Sequence, residues 1–510
     1  MSGPSVLFPD SSMRRAEESV REPEFFRDFN LDRIVAAVTK DKDEYALAPF
    51  FRMRLDAVDA VEFRHEVMRD LELDGVLDAV DAFASAMRVV RGHLARLETR
   101  LYERQKERWF LDAVLVYGAA VGRLVGALDA APLGSRGLLS FRAYAARYIA
   151  AEGFTALNAE AAALAQRLSA IRYDIFMHDA TIEVRRHAYK ADFGAEVAAI
   201  FERFRQDAVK SYRFRFDESP EMNHVEAKIL DGVAVLHPET FEALARFRAT
   251  HADFLDPTLA AFDREIQFYV AYLTYISKLK RAGLSFCYPH VSLEKDEYNR
   301  AGFDLALADK LAAEGQIPVV NDFALAGPER IVVVTGPNQG GKTTFARAFG
   351  QLHYLASLGL PVPGTEAKLH LADRMFAHFE RRERMTDLRG KLEDDLVRMR
   401  RILDAATPRT IVVINEIFAS TTLGDAVFLS REIAAALIAL DALCVWVTFI
   451  DEIASHGDGT VSMVSTVAPD DPTVRTFKLV RRPADGLAYA MSIAEKYGLT
   501  YDRIVGRRAP

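Results

Sequence analysis

The pattern of hydrophobic and polar residues divides the chain into a helical stretch and a later stretch of alternating strands and helices. Apolar residues recur at helical spacing from about residue 56 to 280, which predicts long amphipathic helices. One such helix is predicted over "HLARLETRLYERQKERWFLDAVLVY" (93–117). Residues 240–283 are also predicted to be helical, with one interruption at a proline. By contrast, "DATIEVRRHAY" (179–189) has the composition of a short strand.

The pattern changes after "SFCYPHVS" (285–292). The apolar runs "RIVVVTG", "TIVVINE" and "ALCVWVTF" are typical of buried strands, and helical segments separate them. Strands that alternate with helices predict a parallel α/β sheet. We therefore expect an α + α/β chain with an N-terminal segment (1–55), a mostly helical domain (56–290) and a domain built on the parallel sheet (291–510).

Length and composition narrow the class of protein. A chain of 510 residues is too long for one compact core, and half of its residues are hydrophobic, as in ordinary globular proteins. Two cysteines, Cys287 and Cys444, are too few for a disulfide framework and indicate reduced thiols. We see no signal peptide and no stretch as long as a membrane span. We therefore expect a cytoplasmic protein without a membrane partner, with association to the nucleoid as a variant of that location.

The segment from Gly336 to Thr343 has the spacing G-x-x-x-x-G-K-[ST] between a predicted strand and a predicted helix. Glycines let the backbone N–H groups of such a loop point inward, and the N-terminus of the following helix attracts phosphate. Lys342 can reach the β- and γ-phosphates, and Thr343 offers a hydroxyl to Mg²⁺. We therefore predict a P-loop NTPase domain that binds a nucleotide. The candidate nucleotide-binding residues are Gly336, Pro337, Asn338, Gln339, Gly340, Gly341, Lys342, Thr343 and Thr344.

The apolar run "IVVINEIF" (411–418) ends in a polar pair, Asn415 and Glu416. In a nucleotide-hydrolysing P-loop protein this pair is usually two acids, of which one supports the magnesium ion and one activates water. Glu416 is the candidate catalytic residue that polarises the attacking water. Asn415 can accept a hydrogen bond from a metal-bound water but carries no charge. We therefore expect weaker Mg²⁺ binding and slow hydrolysis.

The segment "TGPNQGGKTT" resembles the phosphate-binding loop of the MutS family, the ATPases of DNA mismatch repair. The similarity continues through "IPVVNDFAL", "TIVVINEIFASTTLGDA" and "CVWVTFIDEIA" to a C-terminal segment (485–499), and covers about residues 300–505. The helical part fits the family's core and lever helices only generally, and the first 55 residues contain no Phe-x-Glu sequence. The resemblance implies a short MutS-related form without the mismatch-recognition domain. It further implies an ABC-like P-loop fold, ATP and Mg²⁺ as ligands, a homodimer, and DNA with mismatches, branches or other structure as a partner.

Phe449 departs from the family pattern. The family usually has a histidine after the threonine of this strand, where it senses the γ-phosphate, but here Thr448 is followed by Phe449. A phenylalanine side chain cannot hydrogen-bond to phosphate. We expect that contact to be missing or to come from elsewhere.

The segment "DLRGKLEDDLVRMRRIL" (387–403) predicts a helix that begins near Gly390 and carries Leu392, Leu396, Met399 and Leu403 on one face. Related dimeric ATPases place such a helix N-terminus against the γ-phosphate bound by the other subunit. The family's usual Ser-Thr pair is absent here, and Arg389 and Lys391 flank Gly390 instead. Positive charge near a helix N-terminus suits a phosphate ligand, so Arg389, Gly390 and Lys391 are candidates for a contact across a dimer. A solvated basic turn is the equally weighted alternative.

Basic and aromatic residues alternate in "RFRQDAVKSYRFRF" (203–216), and "VRRHAYK" (184–190) is also basic. Such patches can pair with phosphates and stack on bases, and a net charge of −8 does not exclude a local basic groove. The same alternation is typical of a half-buried strand, so the expectation of DNA binding rests chiefly on the resemblance. The candidate DNA contacts are Arg185, Arg186, Arg203, Arg205, Lys210, Arg213 and Arg215.

Two functions remain open. In the first, ATP binding closes a dimer of ATPase domains and gates a DNA clamp that acts in repair or recombination. In the second, the protein is a nucleotide-switched interaction protein with little DNA binding or turnover, which Asn415 and Phe449 favour. A small-molecule kinase is disfavoured because no acceptor site is recognisable, and an ABC transporter subunit because no "LSGGQ" string occurs.

Overall fold

The computed structural model describes residues 3–10, 21–98, 102–179, 181–187, 222–380, 390–471, 474–484, 499 and 501. The chain forms two compact units. Residues 1–71, 134–139 and 264–510 form the first, here called the sheet unit, and residues 72–133 and 140–263 form the second, here called the helical unit.

The helices of the described residues are α1 (Leu31–Val38), α2 (Val58–Leu71), α3 (Val76–Leu97), α4 (Glu103–Ala130), α5 (Arg136–Ala150), α6 (Glu152–Ser169), α7 (His224–Leu236), α8 (Pro238–Thr250), α9 (Pro257–Arg281), α10 (Leu305–Ala313), α11 (Lys342–Ser357), α12 (Lys391–Ala405) and α13 (Leu423–Ala439). The strands are β1 (Tyr173–His178), β2 (Thr181–Arg186), β3 (Phe286–Cys287), β4 (His290–Ser292), β5 (Glu297–Gly302), β6 (Asn321–Leu325), β7 (Ile331–Thr335), β8 (Val362–Pro363), β9 (Glu366–His370), β10 (Met375–Phe379), β11 (Ile411–Asn415), β12 (Leu443–Val447), β13 (Thr460–Val467) and β14 (Arg475–Arg481).

The six-stranded sheet of the sheet unit has the order β10-β11-β12-β7-β13-β14. Its first five strands are parallel, and β14 pairs antiparallel with β13. Every residue of β7, β11 and β12 is buried, as expected for parallel strands covered on both faces. The predicted α/β sheet with its apolar strands is therefore confirmed, and the carboxyl ends of β7 and β11 lie at one edge of it.

The first 71 residues belong to the sheet unit, so the compact units do not follow the predicted segments 1–55, 56–290 and 291–510. Phe25 and Phe26 pack against Tyr354 on α11, with ring centroids 5.8 and 5.3 Å apart. The Gln351 side-chain amide, also on α11, donates a hydrogen bond to the Phe29 carbonyl at 2.8 Å. These contacts join residues more than 300 positions apart, and the local pattern of polarity does not reveal which distant helix a buried aromatic residue meets.

The helical unit contains α3 and α4, which pack along each other. The single helix predicted over residues 93–117 is wrong, because α3 ends at Leu97 and α4 begins at Glu103. Apolar residues keep their helical spacing on both sides of this connection, so the sequence pattern does not reveal that the helix is interrupted. The interruption of helix near Pro257 and the strand around Thr181 are confirmed.

Helix α4 qualifies the expectation that no segment reaches the length of a membrane span. It is long and apolar enough to cross a membrane, by length and composition only, and is the one such helix among the described residues. Half of its most apolar window is buried inside the protein. The core helix of a globular protein passes the same test, so the finding is weak support for a membrane span.

Candidate nucleotide-binding site

The loop between β7 and α11 has the conformation that a phosphate-binding loop needs. Gly336 has a φ of +111° and Gly341, the N-cap of α11, a φ of +89°, both in the left-handed region that favours glycine. A Cβ on Gly336 would lie 2.8 Å from the Ser465 carbonyl oxygen of β13. Ser465 Oγ also donates a hydrogen bond to the Gly340 carbonyl at 2.6 Å. Strand β13 therefore fixes the outer side of the loop, where only glycine fits at position 336.

Lys342 is the first residue of α11 and is almost completely buried. Its Nζ donates hydrogen bonds to the Gly336 carbonyl at 2.8 Å, to the Pro337 carbonyl at 3.2 Å and to Asn338 Oδ1 at 3.3 Å. Burial lowers the pKa of Lys342, and the nearby Glu416 carboxylate opposes that shift. The ammonium group is thus held beside the loop, where the charge of a phosphate would meet it.

A pocket of about 520 Å³ opens beside this loop. One side is polar and consists of residues 338–344 and Glu416. The other side is largely apolar, and its lining includes Phe303, Leu307, Leu311, Ile317, Val319 and Phe477. A small ligand with one charged end and one flat apolar end, such as a nucleotide, matches this division.

Phe477 reaches the pocket from an irregular part of β14. Its φ is +58°, and the pairing register of β13 and β14 shifts opposite it, between Ser465 and Val467. The Asn321 side chain donates to the Phe477 carbonyl at 3.1 Å and accepts from the Leu479 N–H at 2.8 Å. Asn321 of β6 therefore holds the distorted segment of β14 that carries Phe477 to the pocket.

The ends of β11 and β7 bring the predicted catalytic and metal residues together. Thr343 Oγ1 donates a hydrogen bond to Asn415 Oδ1 at 3.0 Å, so the two predicted magnesium ligands are neighbours. Both are neutral oxygen donors of the type that Mg²⁺ accepts. Among the described residues, no group of three or more His, Cys, Asp or Glu side chains could hold a metal ion by itself. A metal here would thus depend on additional oxygens, such as those of a bound phosphate.

Glu416 lines the same pocket as Lys342. Burial raises the pKa of Glu416, the Lys342 charge lowers it, and the Glu380 carboxylate raises it further. The backbone of Glu416 has a φ of +57°, and its N–H donates to the Val447 carbonyl at 3.0 Å. The side chain is therefore placed by an unusual turn that the neighbouring strand β12 stabilises.

Comparison with known proteins shows what the part of the chain that carries this site is similar to. Residues 332–506 match the family MutS domain V. The chain is 26% identical over 310 residues to the DNA mismatch repair protein MutS of Thermotoga maritima, which covers 59% of this chain and 37% of the relative. It is 29% identical over 163 residues to the DNA mismatch repair protein MutS of Desulfovibrio desulfuricans, and this match covers 32% of this chain and 17% of the relative. The chain is 24% identical over 287 residues to the DNA mismatch repair protein MutS of Chlorobaculum tepidum, and this match covers 55% of this chain and 32% of the relative.

Residues 332–506 of this chain are similar to MutS domain V. The chain spans less than two fifths of the length of each of these MutS relatives. The matched residues include most of β7, the phosphate-binding loop, α11 and Glu416, so the similarity and the geometry of the site concern the same residues.

Phe449 lies next to Lys342 within the residues that match MutS domain V. The Lys342 Nζ is 4.8 Å from the centroid of the Phe449 ring, a cation–π distance, and the ring is 54% exposed. The preceding Thr448 is buried, and its Oγ1 accepts a hydrogen bond from the Ile450 N–H at 3.0 Å. The phenylalanine thus contacts the loop lysine but offers no hydrogen-bond donor to a phosphate.

The helix predicted to contact a partner begins where expected, with Gly390 as the N-cap of α12. Lys391 forms an ion pair with Glu380 of the same chain. Arg389 lies outside the described residues. The predicted apolar face of α12 needs a correction, because Leu396 is 37% exposed. The buried residues of the helix are Asp395, Met399 and Ile402. The buried face of α12 differs from the apolar face of the sequence pattern because the carboxylate of Asp395 occupies one of the positions that face the core.

The candidate DNA contacts fall partly on the hairpin of β1 and β2 in the helical unit. Arg185 pairs with Glu183 at 2.7 Å and lies over the Phe176 ring, and Arg186 donates to the Leu236 carbonyl at 3.1 Å. Both arginines are exposed. The other candidates lie outside the described residues, namely Arg203, Arg205, Lys210, Arg213 and Arg215. The C-terminal segment 485–499 of the resemblance lies outside them as well, apart from Leu499.

The sequence did not indicate Ser465, Phe477 or Asp395 as site residues. Ser465 and Phe477 come from strands far along the chain, and no local pattern marks them. Asp395 could have been noticed, because it lies four residues before the core residue Met399 on the same helical face.

Proposed function

We propose that this protein binds ATP together with Mg²⁺ and hydrolyses the ATP slowly, and that ATP binding gates a dimeric, DNA-associated clamp in DNA repair or recombination. The observation that carries the proposal is the joint position of Lys342 and Glu416 in one pocket at the carboxyl edge of the sheet. Ligands of open α/β folds bind at this edge. The proposed location is the cytoplasm, with or without attachment to the nucleoid.

Each residue has a role in this proposal. The backbone N–H groups of residues 338–343 and the Lys342 ammonium bind the phosphates, while the apolar wall with Phe477 contacts the base and ribose. Glu416 accepts a proton from the attacking water or orients it, for which the carboxylate must be ionised. Lys342 favours that ionised form.

Thr343 and Asn415 would hold Mg²⁺, directly or through water. The ion neutralises phosphate charge when it is bound. Because Asn415 supplies no negative charge, the residues of this chain contribute less to the affinity for Mg²⁺ than a carboxylate would. Hydrolysis is therefore proposed to be slow, and Phe449 removes a further phosphate contact.

DNA is a proposed partner because the similar relatives are named as DNA mismatch repair proteins, and a second copy of the chain is proposed because the resemblance to the MutS family implies a homodimer. The exposed Arg185 and Arg186 in the helical unit are consistent with phosphate contacts. The second candidate function is a nucleotide-switched interaction protein with little DNA binding or turnover. Asn415 and Phe449 favour it, since both weaken hydrolysis more than they weaken nucleotide binding.

One experiment separates the two candidates. Binding to branched, mismatched and fully paired DNA is measured over a range of salt concentrations with ATP, with ADP and without nucleotide, and ATP turnover is measured in parallel. A clamp shows DNA affinity that changes with the nucleotide. DNA affinity that is the same in all three conditions contradicts the clamp, and a protein that binds no ATP contradicts both functions.

A further inference from the structure

A buried carboxylate on α12 meets the turn that carries Glu416. Asp395 is 7% exposed and shares its helix face with Met399 and Ile402. A charged group in an apolar face is costly unless it is paired or hydrogen-bonded. Asp395 Oδ2 accepts a hydrogen bond from the Phe418 N–H at 3.3 Å, and its Oδ1 lies 3.3 Å from His378 Nε2, a close contact without hydrogen-bond geometry.

The turn after β11 needs such contacts. Glu416 and Phe418 both have positive φ angles, +57° and +64°, which non-glycine residues rarely adopt unless the surroundings impose them. The Glu416 N–H is bound to Val447 and the Phe418 N–H to Asp395. Asp395 thus supplies one of the two described hydrogen bonds that hold the backbone on either side of Ile417.

His378 connects Asp395 to the sheet as well. It is 1% exposed and pairs with Ile414 in the register of β10 and β11, one residue before Asn415. Asp395, a residue of α12, therefore lies next to both β10 and the turn after β11. Helix α12 begins one turn earlier, at Lys391, next to the candidate contact with a partner subunit.

We propose that Asp395 is a positioning residue for hydrolysis: it fixes the turn from Glu416 to Phe418, so that the Glu416 carboxylate faces the nucleotide pocket, and it couples this orientation to the position of α12. The inference rests on the proposed ATPase function. A shift of α12 that separates Asp395 from the Phe418 N–H releases the turn, and Glu416 then loses its orientation toward the attacking water. Hydrolysis would thereby depend on the helix that is proposed to meet the partner.

The first test compares Asp395→Ala and Asp395→Asn with the same changes at Asp404, an exposed aspartate at the other end of α12 that pairs with Arg400. Asp395→Ala should lower kcat about tenfold or more, because small displacements of a catalytic group have effects of this size, while KM and the affinity for a fluorescent ATP analogue change less than about twofold. Asp395→Asn keeps an acceptor oxygen for the Phe418 N–H and should retain most of the activity. A parallel loss of kcat and nucleotide affinity in Asp395→Ala would mean general damage to the site and would overturn the proposal.

The second test does not depend on activity. Hydrogen–deuterium exchange of a peptide covering residues 416–420 should accelerate in Asp395→Ala and remain at the wild-type rate in Asp404→Ala. Unchanged exchange in Asp395→Ala overturns the inference, whatever the turnover. Faster exchange in a protein whose wild-type form hydrolyses no ATP would leave the contact to the turn supported and count against the proposed ATPase function instead.

Discussion

At the scale of single residues, the proposed cleavage of ATP depends on Glu416. Its side chain lines the pocket together with Lys342, and an amide in its place cannot accept a proton. We expect Glu416→Gln to bind ATP with wild-type affinity and to reduce turnover by a factor of about 100 or more. Steady-state turnover and the Kd of a fluorescent ATP analogue check this expectation. Normal hydrolysis in Glu416→Gln would remove the role assigned to Glu416.

The ionisation of Glu416 predicts how turnover depends on pH. Burial raises the pKa of this carboxyl, and Glu380 raises it further. A base must be deprotonated, so kcat should fall with decreasing pH through a pKa above that of an ordinary glutamate. Glu380→Gln removes one cause of the raised pKa, so the acid limb of the kcat profile should move to lower pH. The profile would be measured for both proteins, and an unmoved or upward-shifted limb contradicts this electrostatic account.

In the proposed site, Asn415 sets the concentration of Mg²⁺ that turnover requires. It is a neighbour of Thr343, to which it is hydrogen-bonded at 3.0 Å, and Asn415→Asp introduces a negative charge at this point. A charge-assisted contact strengthens binding by about 1.5 kcal/mol, so the Mg²⁺ concentration for half-maximal turnover should fall about tenfold. A magnesium titration of turnover measures this shift. Nucleotide binding in the absence of Mg²⁺ serves as the control and should not become tighter.

At the scale of elements, β14 connects the apolar wall of the pocket to the rest of the sheet. Asn321 makes two hydrogen bonds to the backbone of Phe477 and Leu479, and loss of both costs about 1–3 kcal/mol because a donor and an acceptor are left unpaired. Asn321→Ala should weaken the binding of ATP about tenfold but leave the binding of inorganic tripolyphosphate unchanged. Competition titrations with both ligands test this, with Gln316→Ala, an exposed change at the rim of the same pocket, as the control. Equal losses for both ligands would mean that β14 supports the phosphate loop rather than the base.

The sequence predicts those elements whose determinants are local. Strands β7, β11 and β12 are continuous apolar runs, and the glycines of the loop between β7 and α11 mark its conformation directly. The contacts of Ser465 and Asn321 depend instead on which distant parts of the chain the fold brings together, and that information is not periodic. The same limit explains why the sequence predicts a separate segment over residues 1–55, although the buried Phe25 and Phe26 have partners on α11.

At the scale of the whole molecule, DNA binding should depend on the charge of the hairpin of β1 and β2. Arg185 is exposed although it is paired with Glu183. Arg185→Ala should weaken the binding of all DNA structures alike and reduce the slope of log K against log salt by about 0.9, the value for one phosphate contact. Arg123→Ala, an exposed change on α4, should leave the slope unchanged. An unchanged slope in Arg185→Ala contradicts its assignment as a phosphate contact.

The proposed contact of Arg389 and Lys391 with the site of a partner subunit can also be tested by mutation. Arg389→Ala/Lys391→Ala should reduce ATP turnover if these charges complete the partner's site, and unchanged turnover and dimerisation would count decisively against that role. A loss alone is ambiguous, because Lys391 pairs with Glu380 of its own chain, and Glu380 affects the pKa of Glu416.

Mixing two inactive variants resolves this ambiguity. In a mixed dimer of Arg389→Ala/Lys391→Ala and Glu416→Gln subunits, one site has an intact Glu416 and receives intact charges from its partner, while the other site lacks both. If the charges act across the dimer, an equal mixture should therefore recover about one quarter of the wild-type turnover, since half of the randomly paired dimers are mixed and each has one complete site. If the charges act within their own subunit, neither site of a mixed dimer is complete and the mixture stays inactive. Recovery would thus show that hydrolysis requires two copies of the chain, which links the residue-level chemistry of Glu416 to closure of the proposed dimer.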